Sequence, residues 1–208
     1  MKPLIGLIDC GAGNIFSVEN ALRGIDCDVI VATNPEMLVG IDKLILPGVG
    51  AFPDGMEKLN SLGFSNYLGE YVNSGKHLLG ICLGMQLLLS IGKEGQTTKG
   101  LDFISGSVEP LRPTNNYRVP HIGWNNIYSK EIKKLSLFDG IEQGSSFYFV
   151  HSYHVVPSED VQVVYINYCD QNIVAAYQKD NLHGVQFHPE KSQKVGIRLL
   201  RNFVELEA

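Results

Sequence analysis

The 208 residues carry a formal net charge of -5 and a pI near 5.7, and no dense Lys/Arg stripe overrides that balance, which argues against a nucleic-acid partner. Four widely and irregularly spaced cysteines, Cys10, Cys27, Cys82 and Cys169, fit neither a disulfide framework nor a CxxC metal site and point to a reducing cytoplasm. The length predicts one domain over 1–208, close to the roughly 100–200 residues usual for a domain, with a core large enough to fold without staples.

The chain opens on a short apolar stretch that meets Asp9, too short for a signal peptide and lacking a cleavage pattern. Leu4-Ile5-Gly6-Leu7-Ile8 predicts a buried strand, and Ile15, Val18, Leu22 and Ile25 recur at helical spacing after a Gly turn. Val29-Ile30-Val31 and Leu44-Ile45-Leu46 predict further strands, the second ending at Pro47-Gly48, and residues 52 to 72 predict helix with a break near Gly63. Strands alternating with helices imply an α/β fold, an open and mostly parallel sheet covered on both faces. The most apolar later stretch, residues 78 to 91, is broken by Gly80, Gly84 and Gln86 and does not predict a membrane span. Beyond about residue 100 the texture becomes β-rich, with runs such as Phe147-Tyr148-Phe149-Val150 between Gly, Pro, Asn and Asp turns, and predicts antiparallel pairing. A last helix is predicted over 194–206, with Val195, Leu199, Phe203 and Leu206 on one face.

Between a predicted strand ending at Ile81 and a helical run from Met85 to Leu89 lies Gly80-Ile81-Cys82-Leu83-Gly84, a cysteine form of the nucleophile elbow. A side chain on so sharp a strand-to-helix turn needs small neighbours, which the glycines supply. The helix N-terminus favours thiolate and aims the Leu83 N–H at any oxyanion formed there. The plainer alternative is a buried structural cysteine between two packing glycines, which is the reading given to Cys10, Cys27 and Cys169.

His188-Pro189-Glu190 supplies a base and a group to orient it. Pro189 biases His188 toward extended geometry, and residues two apart on an extended segment share a side, so the Glu190 carboxylate can hold one imidazole nitrogen while the other faces a thiol. Gly184-Val185-Gln186-Phe187 predicts the strand that delivers this turn; taken alone, the turn also reads as an ordinary exposed one. His151 and His154, three apart on an extended run, face opposite sides and suggest no metal pair. His77, His121 and His183 carry no chemistry visible in sequence. Pro47-Gly48-Val49-Gly50, after a strand, offers backbone N–H groups near Cys82 if neighbouring strands bear both loops. Neither it nor Gly11-Ala12-Gly13-Asn14 has the spacing of a nucleotide-binding loop.

Gly80-Ile-Cys-Leu-Gly-Met-Gln86 and His188-Pro-Glu190 resemble the GxCxGxQ and HPE signatures of the class I, triad-type glutamine amidotransferases. Within that family the chain is most similar to the glutaminase subunits of imidazole glycerol phosphate synthases, through Asp9-Cys-Gly-Ala-Gly-Asn14, Pro47-Gly-Val-Gly-Ala-Phe52, Pro120-His-Ile-Gly-Trp-Asn125, Phe149-Val-His-Ser-Tyr153 and Gly184-Val-Gln-Phe-His-Pro-Glu-Lys-Ser192. Cys10 stands where tyrosine is more usual. The resemblance implies Cys82 as nucleophile, His188 as base and Glu190 as its orienter. It also implies Val49, Gly50 and Leu83 at the oxyanion hole, and Gly50, Gln86, Ser152 and Tyr153 against glutamine. Asn14, Trp124, Tyr148 and Lys191 are implied at a partner interface or ammonia gate.

By the same resemblance no cofactor or metal is required, and the partner is a cyclase subunit with a (β/α)8 barrel, paired as a heterodimer. A paralogous glutaminase serving a barrel partner that amidates a sugar fits the same residues. A cysteine hydrolase or peptidase on a related sheet fits the elbow but not Gln86, the HPE turn or the HSY segment. A binding module with a dead triad is disfavoured by the presence of all three candidates.

Overall fold

The computed structural model describes residues 2–11, 15–114 and 117–207. The first half alternates as expected: β1 (Leu4–Ile8), α1 (Ile15–Arg23), β2 (Asp28–Ala32), β3 (Lys43–Leu46), α2 (Phe52–Ser61), α3 (Phe64–Asn73), β4 (Leu78–Ile81) and α4 (Leu83–Leu87). The break near Gly63 is real, since Gly63 takes a φ of 78° between α2 and α3, a left-handed conformation that favours glycine. The second half runs β5 (Leu89–Gly92), β6 (Thr98–Lys99), β7 (Ile104–Pro110), β8 (His121–Asn126), β9 (Ser146–His151), β10 (Tyr153–Pro157), β11 (Gln162–Tyr168), β12 (Gln171–Lys179), β13 (Leu182–Val185) and α5 (Gln193–Glu205).

The main sheet is seven-stranded in the order β11-β12-β13-β4-β3-β1-β2. Its five strands from β13 to β2 are parallel, and β11 and β12 extend it antiparallel. Side chains alternate across it, because successive residues on a strand point to opposite faces. Ile5, Leu7, Ile45, Leu79 and Ile81 join Val18 and Leu22 of α1 and Leu199 and Phe203 of α5 on one side. Ile8, Leu44, Leu46 and Leu78 join Met56 and Leu59 of α2 and Phe64 and Leu68 of α3 on the other. Each fully buried Leu or Ile contributes about 1.5–3 kcal/mol, and this two-sided burial is why the strands read as near-continuous apolar runs.

Three expectations are corrected. The helix predicted from Met85 to Leu89 is the short α4, ending at Leu87, with β5 beginning at Leu89. The Leu87 carbonyl accepts from the Leu101 N–H, and the Leu88 carbonyl accepts from the N–H groups of Phe103 and Ile104, so backbone from 101–104 captures the bonds that would have extended the helix. The second half is not uniformly antiparallel, since β5 pairs parallel with β7 and β13 pairs parallel with β4. The strand read over 184–187 spans Leu182–Val185 instead, which leaves Gln186 and Phe187 beyond its C-terminal end. No helix among the described residues is long and apolar enough to cross a membrane.

Candidate active site

β4 and β13 lie side by side with Ile81 opposite Val185, so their C-terminal ends release Cys82 and the segment from Gln186 to Glu190 at the same place. The Cys82 N–H donates to the Val185 carbonyl at 2.8 Å, tying the two turns together. β3 is the other neighbour of β4 and brings Pro47-Gly48-Val49-Gly50 to the same edge, as expected.

Cys82 adopts φ 54° and ψ -109°, a conformation costly for any residue with a Cβ. Its surroundings enforce it. A Cβ on Gly80 would lie 2.7 Å from the Met85 backbone nitrogen, and one on Gly84 would collide with the Leu46 carbonyl oxygen, so α4 can start directly over the strand only because both positions are glycine. Cys82 is 7% exposed, yet it opens on a cavity of about 340 Å³ lined by Val49, Gly50, Leu83, Gln86, Ser152 and Tyr153. All four residues implied against glutamine are among them.

His188 Nδ1 lies 2.8 Å from Glu190 Oε1, and the two side chains are 4% and 1% exposed. The route differs from the extended segment expected: His188 is extended at φ -97° and ψ 97°, but Pro189–Lys191 is a 3-10 turn that carries the Glu190 carboxylate back to the ring. The Ser192 hydroxyl donates to the His188 carbonyl at 2.7 Å and accepts from the Tyr148 N–H at 3.0 Å. A Cβ on Gly196 would strike the Pro189 carbonyl, so α5 packs directly beneath the turn. His188 Nε2 meets no partner at strict hydrogen-bonding geometry among the described residues. Burial acts to lower the His188 pKa, but the neighbouring Cys82 sulfur and the Glu190 carboxylate outweigh it and raise it from 6.5 to about 9. The ring is thereby set to carry a proton beside the sulfur.

The Leu83 N–H is engaged, donating to the Gly48 carbonyl at 3.3 Å. Val49 is exposed, and Gly50 sits at φ 110° with open space around it. Trp124 meets Tyr148 edge-on at 6.0 Å, and the Lys191 ammonium lies 5.9 Å above the Tyr148 ring, so three residues implied at a partner face form one cluster; Asn14 lies outside the described residues.

Sequence reasoning gave no place in the site to three further residues. Glu94 lines the cavity and accepts from the Phe52 N–H at 2.7 Å at the start of α2. Gln186 is fully buried with its Nε2 3.7 Å from the Cys82 sulfur. His151 lines the cavity as well, paired with His121 at 3.1 Å. Nothing local marks Glu94, which reaches the site from a turn after β5. Gln186 carried one signal, its place two residues before His188 at the end of a strand.

A family model described as glutamine amidotransferase class-I matches residues 6–206. The chain belongs to the class-I glutamine amidotransferases. This amidotransferase is 46% identical over 203 residues to the imidazole glycerol phosphate synthase subunit HisH of Methanothermobacter thermautotrophicus, covering 98% of each chain. It is 42% identical over 203 residues to the imidazole glycerol phosphate synthase subunit HisH 2 of Methanococcus maripaludis, covering 97% of this chain and 99% of the relative. Among solved structures, a glutamine amidotransferase superposes with a TM-score of 0.72 at 20% identity, covering 97% of each chain. Another glutamine amidotransferase, from Thermotoga maritima, superposes with a TM-score of 0.71 at 16% identity over 99% of this chain and 97% of that one. At that identity the two structures establish the shared fold.

Proposed function

We propose that this amidotransferase is the glutaminase subunit of an imidazole glycerol phosphate synthase, with 1–208 acting as one glutaminase domain in the cytoplasm. The observation that carries the chemistry is Cys82 at the floor of a cavity, beside a buried His188–Glu190 pair. The near-full-length identity to proteins of that name supports this acceptor over a sugar-amidating paralogue.

In the proposed reaction the Cys82 thiolate attacks the side-chain carboxamide carbon of glutamine, and His188 gives its proton to the leaving nitrogen. Ammonia departs and a γ-glutamyl thioester remains. His188 then takes a proton from water, whose oxygen attacks the thioester carbon, and glutamate leaves as the thiol reforms. Glu190 holds the imidazole through Nδ1. Gly50, Gln86, Ser152 and Tyr153 contact the substrate, and the Glu94 carboxylate in the cavity wall suits its α-ammonium.

The Leu83 bond to the Gly48 carbonyl supports a low resting activity, because that N–H cannot also serve an oxyanion. Turning the Gly48–Val49 peptide would free Leu83 and bring the Val49 N–H to the same place. The partner proposed is a cyclase with a (β/α)8 barrel, joined as a heterodimer over the face bearing Trp124, Tyr148 and Lys191. Free ammonia is mostly protonated at neutral pH, so passing it across a water-excluding junction preserves the nucleophile.

The test is glutamate release by the chain alone, with the cyclase, and with the cyclase and its ligand. Release is expected only in the last mixture and is expected to vanish in Cys82→Ala. Full turnover by the isolated chain would rule out the coupling, and failure to restore growth of a histidine auxotroph would favour the sugar-amidating partner.

A further inference from the structure

The hydrogen-bond polarity around Cys82 is set by one backbone atom. The Tyr153 carbonyl oxygen can only accept. Gln86 Nε2 lies 3.2 Å from it and 2.9 Å from Gln186 Oε1. Turned the other way, the Gln86 amide would set its own oxygen against that carbonyl, two acceptors face to face in a buried place. Gln86 therefore commits both N–H groups to the protein, and Gln186 must offer it an oxygen. The NH₂ of Gln186 consequently points the other way, at the Cys82 sulfur.

The anchor is itself fixed. His151 Nδ1 lies 2.8 Å from the same carbonyl and must carry a proton there. Burial drives the His151 pKa down to about 3, so the ring is neutral and its Nε2 accepts from His121 Nδ1 at 3.1 Å. Two donors thus hold the Tyr153 carbonyl, and the donor direction runs without a break to the sulfur.

We infer that Gln186 is a positioning residue: one N–H holds the Cys82 sulfur, while its oxygen locks Gln86 with that residue's own carbonyl oxygen left free for a donor on the substrate. The inference deepens the glutaminase reading and rests on it. A hydrogen bond donated to a thiolate favours that form over the thiol, and a locked Gln86 can accept from an ammonium or N–H but cannot donate to a carboxylate. Neither His188 nor the start of α4 supplies this second function.

The test uses the full chain with Gln186→Met, which keeps the volume and removes both polar groups, and Gln186→Glu, which keeps the acceptor and removes the donor. Alkylation of Cys82 by iodoacetamide is followed through the mass of its peptide from neutral to alkaline pH. Both variants are expected to react roughly tenfold more slowly at neutral pH and to converge with the wild type at strongly alkaline pH, where a thiol ionises unaided. In the complex with the cyclase, the KM for glutamine is expected to rise along with the fall in kcat. A residue that only fills space would leave alkylation unchanged or hasten it at every pH as the cavity loosens, and that result in Gln186→Met overturns the inference even if Gln186→Glu does not fold. Because alkylation requires neither glutamine nor the partner, a complex that still releases glutamate as Cys82→Ala would defeat the functional reading separately.

Discussion

In the proposed reaction the two buried side chains of the His188–Glu190 pair have different tasks, and single substitutions separate them. Glu190→Gln keeps the shape but removes the negative charge that holds the protonated imidazole through Nδ1 and helps raise its pKa. The kcat/KM for glutamine in the complex is expected to fall about a hundredfold or more, the range of a lost general base, with a smaller change in KM. His188 also links stability to pH. Its folded-state pKa lies above the ordinary 6.5, at about 9, so the stability from its protonated form is fully present below 6.5 and is lost as pH rises through about 9. Urea unfolding across that window should show the wild type losing its advantage over His188→Gln; a constant gap would refute the assignment of a proton to this ring. The proximity of the two side chains was legible in the sequence because the Pro189 constraint acts within three residues. The 3-10 turn that delivers the carboxylate was not, because it is imposed by α5 packing at Gly196 and by the Ser192 hydroxyl.

The decisive element is the turn from β4 into α4. It has almost no room: a Cβ at position 84 would meet the Leu46 backbone, which cannot yield as a side-chain end can. Gly84→Ala is therefore expected to cost about 3 kcal/mol or more, the range of severe overpacking, and to appear as a large drop in Tm or as insoluble protein. The middle of α4 is held by the Tyr177 hydroxyl, which donates to the Met85 carbonyl at 2.8 Å in a fully buried place. Tyr177→Phe removes the donor with little change in volume and should cost about 1–3 kcal/mol for the unsatisfied carbonyl, read by denaturant midpoint. The glycines that permit the elbow could be seen in the sequence. The early end of α4 could not, since bonds from residues 101–104 decide it and no local pattern announces them.

Across the whole molecule, Trp124 and Tyr148 lie on the β8–β9 ribbon, with Lys191 of the turn after His188 over the Tyr148 ring, and Trp124 shares a groove with Val195 and Arg198 of α5. Trp124 is 47% exposed, too open to hold up the fold and large enough to anchor a contact. Trp124→Ala is expected to leave Tm within error while weakening cyclase binding about tenfold or more, as measured by titration; a drop in Tm with unchanged affinity would place the residue in the fold instead of the interface.

The residues alone determined the alternation of strand and helix, the sharp turn at Cys82 and the constraint at His188, because each depends on near neighbours and on the conformations that glycine and proline allow or forbid. The tertiary structure decided what meets what. Pairing of β13 with β4 in the register of Val185 to Ile81 brings Gln186 and His188 to a sulfur more than a hundred residues earlier in the chain. The return of the chain after β5 sets Glu94 in the same cavity, and the Tyr153 carbonyl orients two amides. These are contacts between distant segments, fixed by sheet order and by the pairing of buried amide donors with the acceptors around them, and no single stretch of sequence carries them.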